Sequence, residues 1–168
     1  MTAETSLTIV RRIKAPQQAV FDAFIVPEKI ALWWGPDSGP VILAEVDARK
    51  GGHFRVRFKM EDGSEHGASG TFEIFDPPHS LAMSWKWENE DAPASRVEVA
   101  LRPIEGGTEL TFTHARLPDA ATRDSHEQGW NGALDKLEAK ADQLGSGTSK
   151  RDDKASQWRS KRSNIRRI

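Results

Sequence analysis

"HEQGWNGALDKLEAKADQL", residues 126–144, spaces its apolar side chains at helical intervals. His126, Trp130, Leu134, Leu137, Ala141 and Leu144 recur every three or four positions, while Glu127, Asp135, Glu138 and Asp142 fall mostly on the opposite side. That is one amphipathic helix with a single apolar stripe. Upstream, from residue 41 to the mid-110s, the period is two instead. A run of strands closed by one long helix predicts an α+β domain rather than alternating βαβ units.

The strands are legible one by one. In "GGHFRVRFKM" (51–60), Phe54, Val56, Phe58 and Met60 face one way and His53, Arg55, Arg57 and Lys59 the other. Asp62-Gly63 marks a hairpin turn, and "DPPHS" (76–80) marks another. "LAMSWKWE" points Leu81, Met83, Trp85 and Trp87 inward, and "SRVEVALRPI" does the same with Val97, Val99 and Leu101. "TELTFTHA" adds Leu110, Phe112 and His114 to that face. Such short connections argue for an antiparallel meander with one buried and one wet face. Ahead of it come a first strand in "SLTIVRRIKAP", a helix opened by Pro16, and a short helix opened by Pro27 and stopped by Gly35-Pro36.

Composition bounds the function classes. The 168 residues hold six Trp, seven Phe and no Tyr or Cys, which excludes disulfides, thiolate metal sites and a cysteine nucleophile. No apolar run approaches the roughly 18 residues of a membrane span, and no signal-peptide pattern opens the chain, so a cytoplasmic location is the expectation. The net charge of −1 hides an asymmetry. Residues 145–168 carry eight Lys/Arg against two Asp, whereas 1–144 carry sixteen against twenty-three acids. The division predicted is a folded domain over 1–144 and a basic, disordered tail over 145–168. Nucleic acid is not expected as a partner, except non-specifically through that tail and its Trp158.

Phe21-Asp22-Ala23-Phe24, Pro27-Glu28, Trp33-Trp34-Gly35-Pro36, Gly51-Gly52, and Gly129-Trp130 with Leu134 and Leu137 occur in an order and spacing that resemble the START-like (SRPBCC) superfamily. Within it, the chain is most similar to the family of homologues of the activator of heat-shock-protein-90 ATPase. The resemblance spans residues 7 to 144. It implies a helix-grip fold, a curved antiparallel sheet wrapped around a long C-terminal helix with a cavity between. It also implies three functions: a receptor for a small hydrophobic molecule, a co-chaperone-like module for a protein partner, or a cyclase-like enzyme.

Adjacent helical positions point about 100° apart, so Trp33 and Trp34 are expected to meet different surroundings. Trp34 is expected to be the more buried, with Ile30 one turn before it, and Trp33 to help roof the cavity mouth. Trp85, Trp87 and Trp130 form a second aromatic group. Gly129 and Gly132 flank Trp130, which implies either a close backbone approach or room for a ligand, and the resemblance favours room. His114 and His126 are inward polar groups that either orient a ligand or are satisfied within the packing.

No His pair has metal-ligand spacing, no Ser-His-Asp arrangement can be assembled, and no phosphate-binding loop is present. The expected activity is therefore binding rather than catalysis, without cofactor or metal. Its candidate residues are Trp33, Phe58, Met83, Trp85, Trp87, Phe112, His114, His126, Trp130 and Leu134.

Overall fold

The structure, a computed structural model, describes residues 5–145 and the pair Arg166–Arg167. Strand β1 (Thr5–Ile13) leads into helices α1 (Gln17–Asp22) and α2 (Pro27–Trp33). Six strands follow: β2 (Val41–Val46), β3 (His53–Lys59), β4 (Glu65–Asp76), β5 (Ser80–Trp87), β6 (Ser95–Ile104) and β7 (Gly107–Leu117). Helix α3 (Ala120–Ala139) and the short α4 (Ala141–Gly145) complete the domain, and β8 (Arg166–Arg167) is a two-residue addition. The expected tail otherwise lies outside the described residues.

All strands are antiparallel, in the order β1-β7-β6-β5-β4-β3-β2-β8. Register shifts at Thr5/Leu7, Val41/Leu43 and Phe72/Ile74 act as bulges, which bend the bulged strand and increase twist. The expected alternation holds for Phe54, Val56, Phe58, Leu81, Met83, Trp85, Val97, Val99, Leu101, Leu110, Phe112 and His114, all buried; Met60, just past the end of β3, and Trp87, at the end of β5, are only half-buried. Helix α3 lies on that face and buries Trp130, Ala133, Leu134 and Leu137. This is the helix-grip arrangement.

Helix α3 starts where Asp119, extended and acting as N-cap, accepts from the Thr122 N–H at 2.8 Å. The helix stops sooner than its apolar stripe implies. Lys140 leaves helical geometry (φ −106°, ψ 20°), and its N–H bonds back to the Lys136 carbonyl. The break re-aims the chain so that Ala141 and Leu144 in α4 still reach the core. On the β1 side, Arg11 holds α3 through Asp135 at 2.9 Å, Glu138 at 2.7 Å and the Asn131 side chain at 2.7 Å.

Both tryptophans of the Trp33-Trp34 pair are buried, Trp33 at 0 % exposure and Trp34 at 4 %, so Trp33 does not roof an opening. The reason is backbone geometry. The helix ends at Trp33, and Trp34 is extended (φ −67°, ψ 145°), so the two rings are not bound to helical spacing. The Trp33 indole N–H donates to the Ala23 carbonyl at 2.9 Å and its ring packs on Phe24.

Beyond Trp34 the chain lies directly on α3. Lys136 donates from Nζ to the Trp34 carbonyl at 3.4 Å and to the Asp37 carbonyl. Gly132 is the point of closest approach, because a Cβ there would overlap the Pro36 carbonyl oxygen. The room expected at this glycine is therefore occupied by backbone. At Gly129 a Cβ would meet only the Pro36 side chain, at an ordinary 3.7 Å.

The two glycines should thus respond oppositely to alanine. Gly132→Ala is expected to lose about 1–3 kcal/mol by overpacking, even after the helix-propensity gain. Gly129→Ala should be neutral or gain up to about 1 kcal/mol. Urea unfolding of the two variants checks this, and equal responses would contradict the close approach.

Candidate functional site

Where α2 and α3 meet the sheet, four strands, the middle of α3 and the end of α2 contribute rings to one assembly. Trp85 of β5 is its centre. Trp34 stacks on it with centroids 5.6 Å apart, Trp130 meets it edge-on at 5.1 Å, Trp87 at 5.6 Å, and Phe54 lies at 6.1 Å. Phe112 supports Trp130 from β7 at 4.4 Å. Phe58 and His66 extend the assembly toward Trp87. Edge-to-face and offset contacts of this kind add to simple area burial.

A chain of hydrogen bonds runs through the rings with a defined direction. The Trp130 indole N–H donates to His114 Nδ1 at 3.0 Å. Because Nδ1 accepts, neutral His114 carries its proton on Nε2, which donates to Ser95 Oγ at 2.7 Å. Ser95 Oγ–H is then free to donate to the Trp85 carbonyl at 3.3 Å. The relay links α3, β7, β6 and β5, and every polar atom in it has a partner. His126, half-buried on α3, accepts at Nε2 from the Trp87 indole N–H at 3.4 Å, which puts its proton on Nδ1. Its ring meets that of His114 at 4.6 Å.

Burial pushes the His114 imidazole down to about 3, with the neighbouring His126 charge adding to the effect. His126 is lowered as well, by burial. His114 stays neutral near neutral pH, and with both nitrogens engaged by Ser95 and Trp130 it is a poor proton acceptor there.

One polar atom stands apart. The buried Trp85 Nε1–H has no hydrogen-bond acceptor among the described residues. An unsatisfied buried donor costs about 1–3 kcal/mol, and buried indole N–H groups normally find a partner. The rings around it are apolar or, like His114, already committed.

The sequence-derived candidates divide in three. Trp85, Trp87, Phe112, His114, His126 and Trp130 come together here, with Phe58 beside Trp87. Leu134 is buried on α3, and Met83 is buried on β5 opposite Phe72 and Val97. Trp33 packs between Phe24 and Trp34, one ring removed from Trp85. Trp34, Phe54 and Ser95 also belong to the assembly and were not among those candidates. Phe54 was available from strand alternation; Trp34 depended on where α2 ends, and Ser95 on the β5–β6 register.

Away from this packed ring assembly, a concavity of about 500 Å³ lies on the outer face of the sheet against β2 to β5. Ser69, Thr71 and Ser84 line it beside an Arg55–Glu88 ion pair, with Glu45 and Lys86 at its rim. Among the described residues there is no group of three or more His, Asp or Glu placed to hold a metal ion. No helix among them is long and apolar enough to cross a membrane.

A family model, "Activator of Hsp90 ATPase homolog 1-like protein", matches residues 14–142. No curated protein matches the chain. Among solved structures, the chain is similar to the AHSA1 protein of Silicibacter pomeroyi, at 27 % identity and TM-score 0.73, over 81 % of this chain and 96 % of that one. It is similar to an AHSA1-like protein of Aeromonas hydrophila at 26 % identity and TM-score 0.68, over 84 % and 96 %. A protein of Rhodobacter sphaeroides matches at 25 % and 0.69, over 80 % and 90 %.

The His114 environment predicts a pH dependence with a definite sign. With its folded value near 3 and an ordinary value of 6.5, the unfolded chain binds this proton first. The His114 contribution to stability is flat above pH 6.5 and falls on acidification through the window down to about 3, at up to about 1.4 kcal/mol per pH unit. At pH 5 the loss from His114 is about 2 kcal/mol, and His126 acts in the same direction. Urea unfolding at pH 7.5, 6 and 5 should show this slope, and His114→Gln should flatten it. Unchanged stability from pH 7 to 5 would contradict the assignment.

Proposed function

We propose that this chain, which belongs to the activator of Hsp90 ATPase homolog 1-like family, is a receptor for a small, flat, mostly apolar molecule. The ligand lies against the Trp85 assembly and carries one neutral hydrogen-bond acceptor. The observation that carries this reading is the buried, unpaired Trp85 Nε1–H. A ligand carbonyl or ether oxygen reaching it would relieve the cost of the orphan donor and be oriented by it.

Other features support the reading. The half-buried Trp87 and His126 form the accessible rim of the assembly, so entry is between β5 and α3 rather than past α2. The Trp87–His126 bond, at 3.4 Å, is the longest of the site and the easiest to open. The neutral, fully engaged His114 argues for binding rather than a cyclase-like reaction.

Indole ¹H–¹⁵N signals followed during titration with a library of neutral aromatic ketones and their hydrocarbon counterparts test the proposal. The Trp85 N–H signal should move downfield with the ketones and shift little with the hydrocarbons. Trp85→Phe should weaken ketone binding roughly 5- to 150-fold, the span of a lost 1–3 kcal/mol. A library that leaves Trp85, Trp87 and Trp130 unmoved would end the receptor reading. The family description raises chaperone stimulation as the competing role; ATP hydrolysis by the chaperone, faster with this protein than without it, would favour that role instead.

A further inference from the structure

We propose that the hollow on the outer face of the sheet is a second binding site, for a small hydroxylated molecule with one anionic group, a phosphate or a carboxylate. Its shape follows from strand register. Glu45, Arg55, Ser69 and Lys86 stand in one row across β2, β3, β4 and β5. Two residues along, His53 pairs with Thr71, and the Thr71 N–H donates to Ser84 Oγ at 2.9 Å, which places Ser84 beside it on β5. Long side chains thus flank three short hydroxyl-bearing ones. The difference in length leaves a space of about 500 Å³, within the roughly 300–1,000 Å³ of small-molecule sites.

The cationic wall is held in place before any ligand arrives. Glu88, just past β5, lies across β4 at Gly67. Its N–H donates to the Gly67 carbonyl at 2.8 Å, and a Cβ on that glycine would overlap the Glu88 carboxylate. From there Glu88 accepts from Arg55 Nε at 2.5 Å and from Arg57 Nη1 at 3.3 Å. The bond to Nε fixes the Arg55 guanidinium, while its Nη1 and Nη2 have no partner among the described residues. Exposed Lys86 likewise has no ion pair among them. A guanidinium already oriented loses less side-chain freedom on meeting an anion, and its terminal nitrogens remain available as donors.

Charge along the row gives the ligand a direction. Lys86 and the Arg55 terminal nitrogens suit a phosphate or carboxylate oxygen. The hydroxyls of Ser69, Thr71 and Ser84 form a floor that both donates and accepts, as sugar-like hydroxyls require. Glu45 stands three strands from Lys86, about 14 Å at the usual strand spacing, and makes that end acidic. A second anionic group is therefore disfavoured there, which selects a compact, singly headed molecule over a nucleic-acid strand.

Backbone ¹H–¹⁵N titration of the full chain tests this, with glucose 6-phosphate and gluconate as probes and glucose and inorganic phosphate as comparisons. Amides of residues 55, 69, 71, 84 and 86 should move saturably with at least one of the two acids, and the tighter of the two identifies the preferred head group. Glucose and inorganic phosphate should each bind about tenfold more weakly or less, since each lacks one half of the recognition. Lys86→Gln should weaken binding of the acid about tenfold, the size of one charge-assisted hydrogen bond. Ser69→Val, which suits a strand but fills the floor, should weaken it at least as much. Amides that stay in place with both acids would overturn the proposal. So would equal affinity for inorganic phosphate, or an affinity that neither substitution changes.

Discussion

The Trp130 indole N–H donates to His114, and that bond between α3 and β7 constrains most of what surrounds it. It makes His114 an acceptor at Nδ1, so the imidazole must donate from Nε2 to Ser95, and Ser95 must donate to the Trp85 carbonyl. Helix and sheet are thereby joined by directional bonds in addition to apolar packing. A buried polar chain of this kind is favourable only when fully satisfied, and this one is. The Trp85 indole N–H lies outside it and is left without an acceptor. The relay and the orphan donor thus sit on the same residue: its carbonyl is satisfied, its side chain is not.

The second constraint is steric. Gly132 allows the Pro36 backbone to rest on α3, and Lys136 ties the same loop down through the Trp34 and Asp37 carbonyls. This clamp brings Trp34 over Trp85 and Trp130. It also packs the end of α2 against the same rings. A larger side chain at position 132 would separate loop from helix and loosen the ring cluster without touching any ring.

Much of this was legible in the sequence. Period-two alternation located the inward faces of β3, β5, β6 and β7, and the 3.6-residue stripe located α3, because burial on one face writes itself directly into spacing. His114 and Trp130 could be placed on facing surfaces for the same reason. What spacing cannot encode is register between strands and the residue at which a helix ends. Ser95 reaches His114 only because Trp85 and Ser95 are paired across β5 and β6. Trp34 joins the cluster only because α2 stops one residue earlier and the backbone turns extended. At Gly132 the sequence left a close backbone approach and room for a ligand both open, with the resemblance favouring room; it is a backbone contact, and a missing Cβ looks the same in sequence for both. The break at Lys140 was likewise hidden, since Ala141 and Leu144 keep helical spacing on either side of it.

The protonation state of His114 is the most direct test of this account, because the relay, the pH response and the isolation of the Trp85 donor all require it. Long-range ¹H–¹⁵N correlation of the histidine ring nitrogens, followed from pH 7.5 to pH 4, reports it without any ligand. The account predicts a neutral His114 ring with its proton on Nε2 across the whole range, consistent with a value near 3. A ring that titrates near 6.5, or that carries its proton on Nδ1, would contradict it.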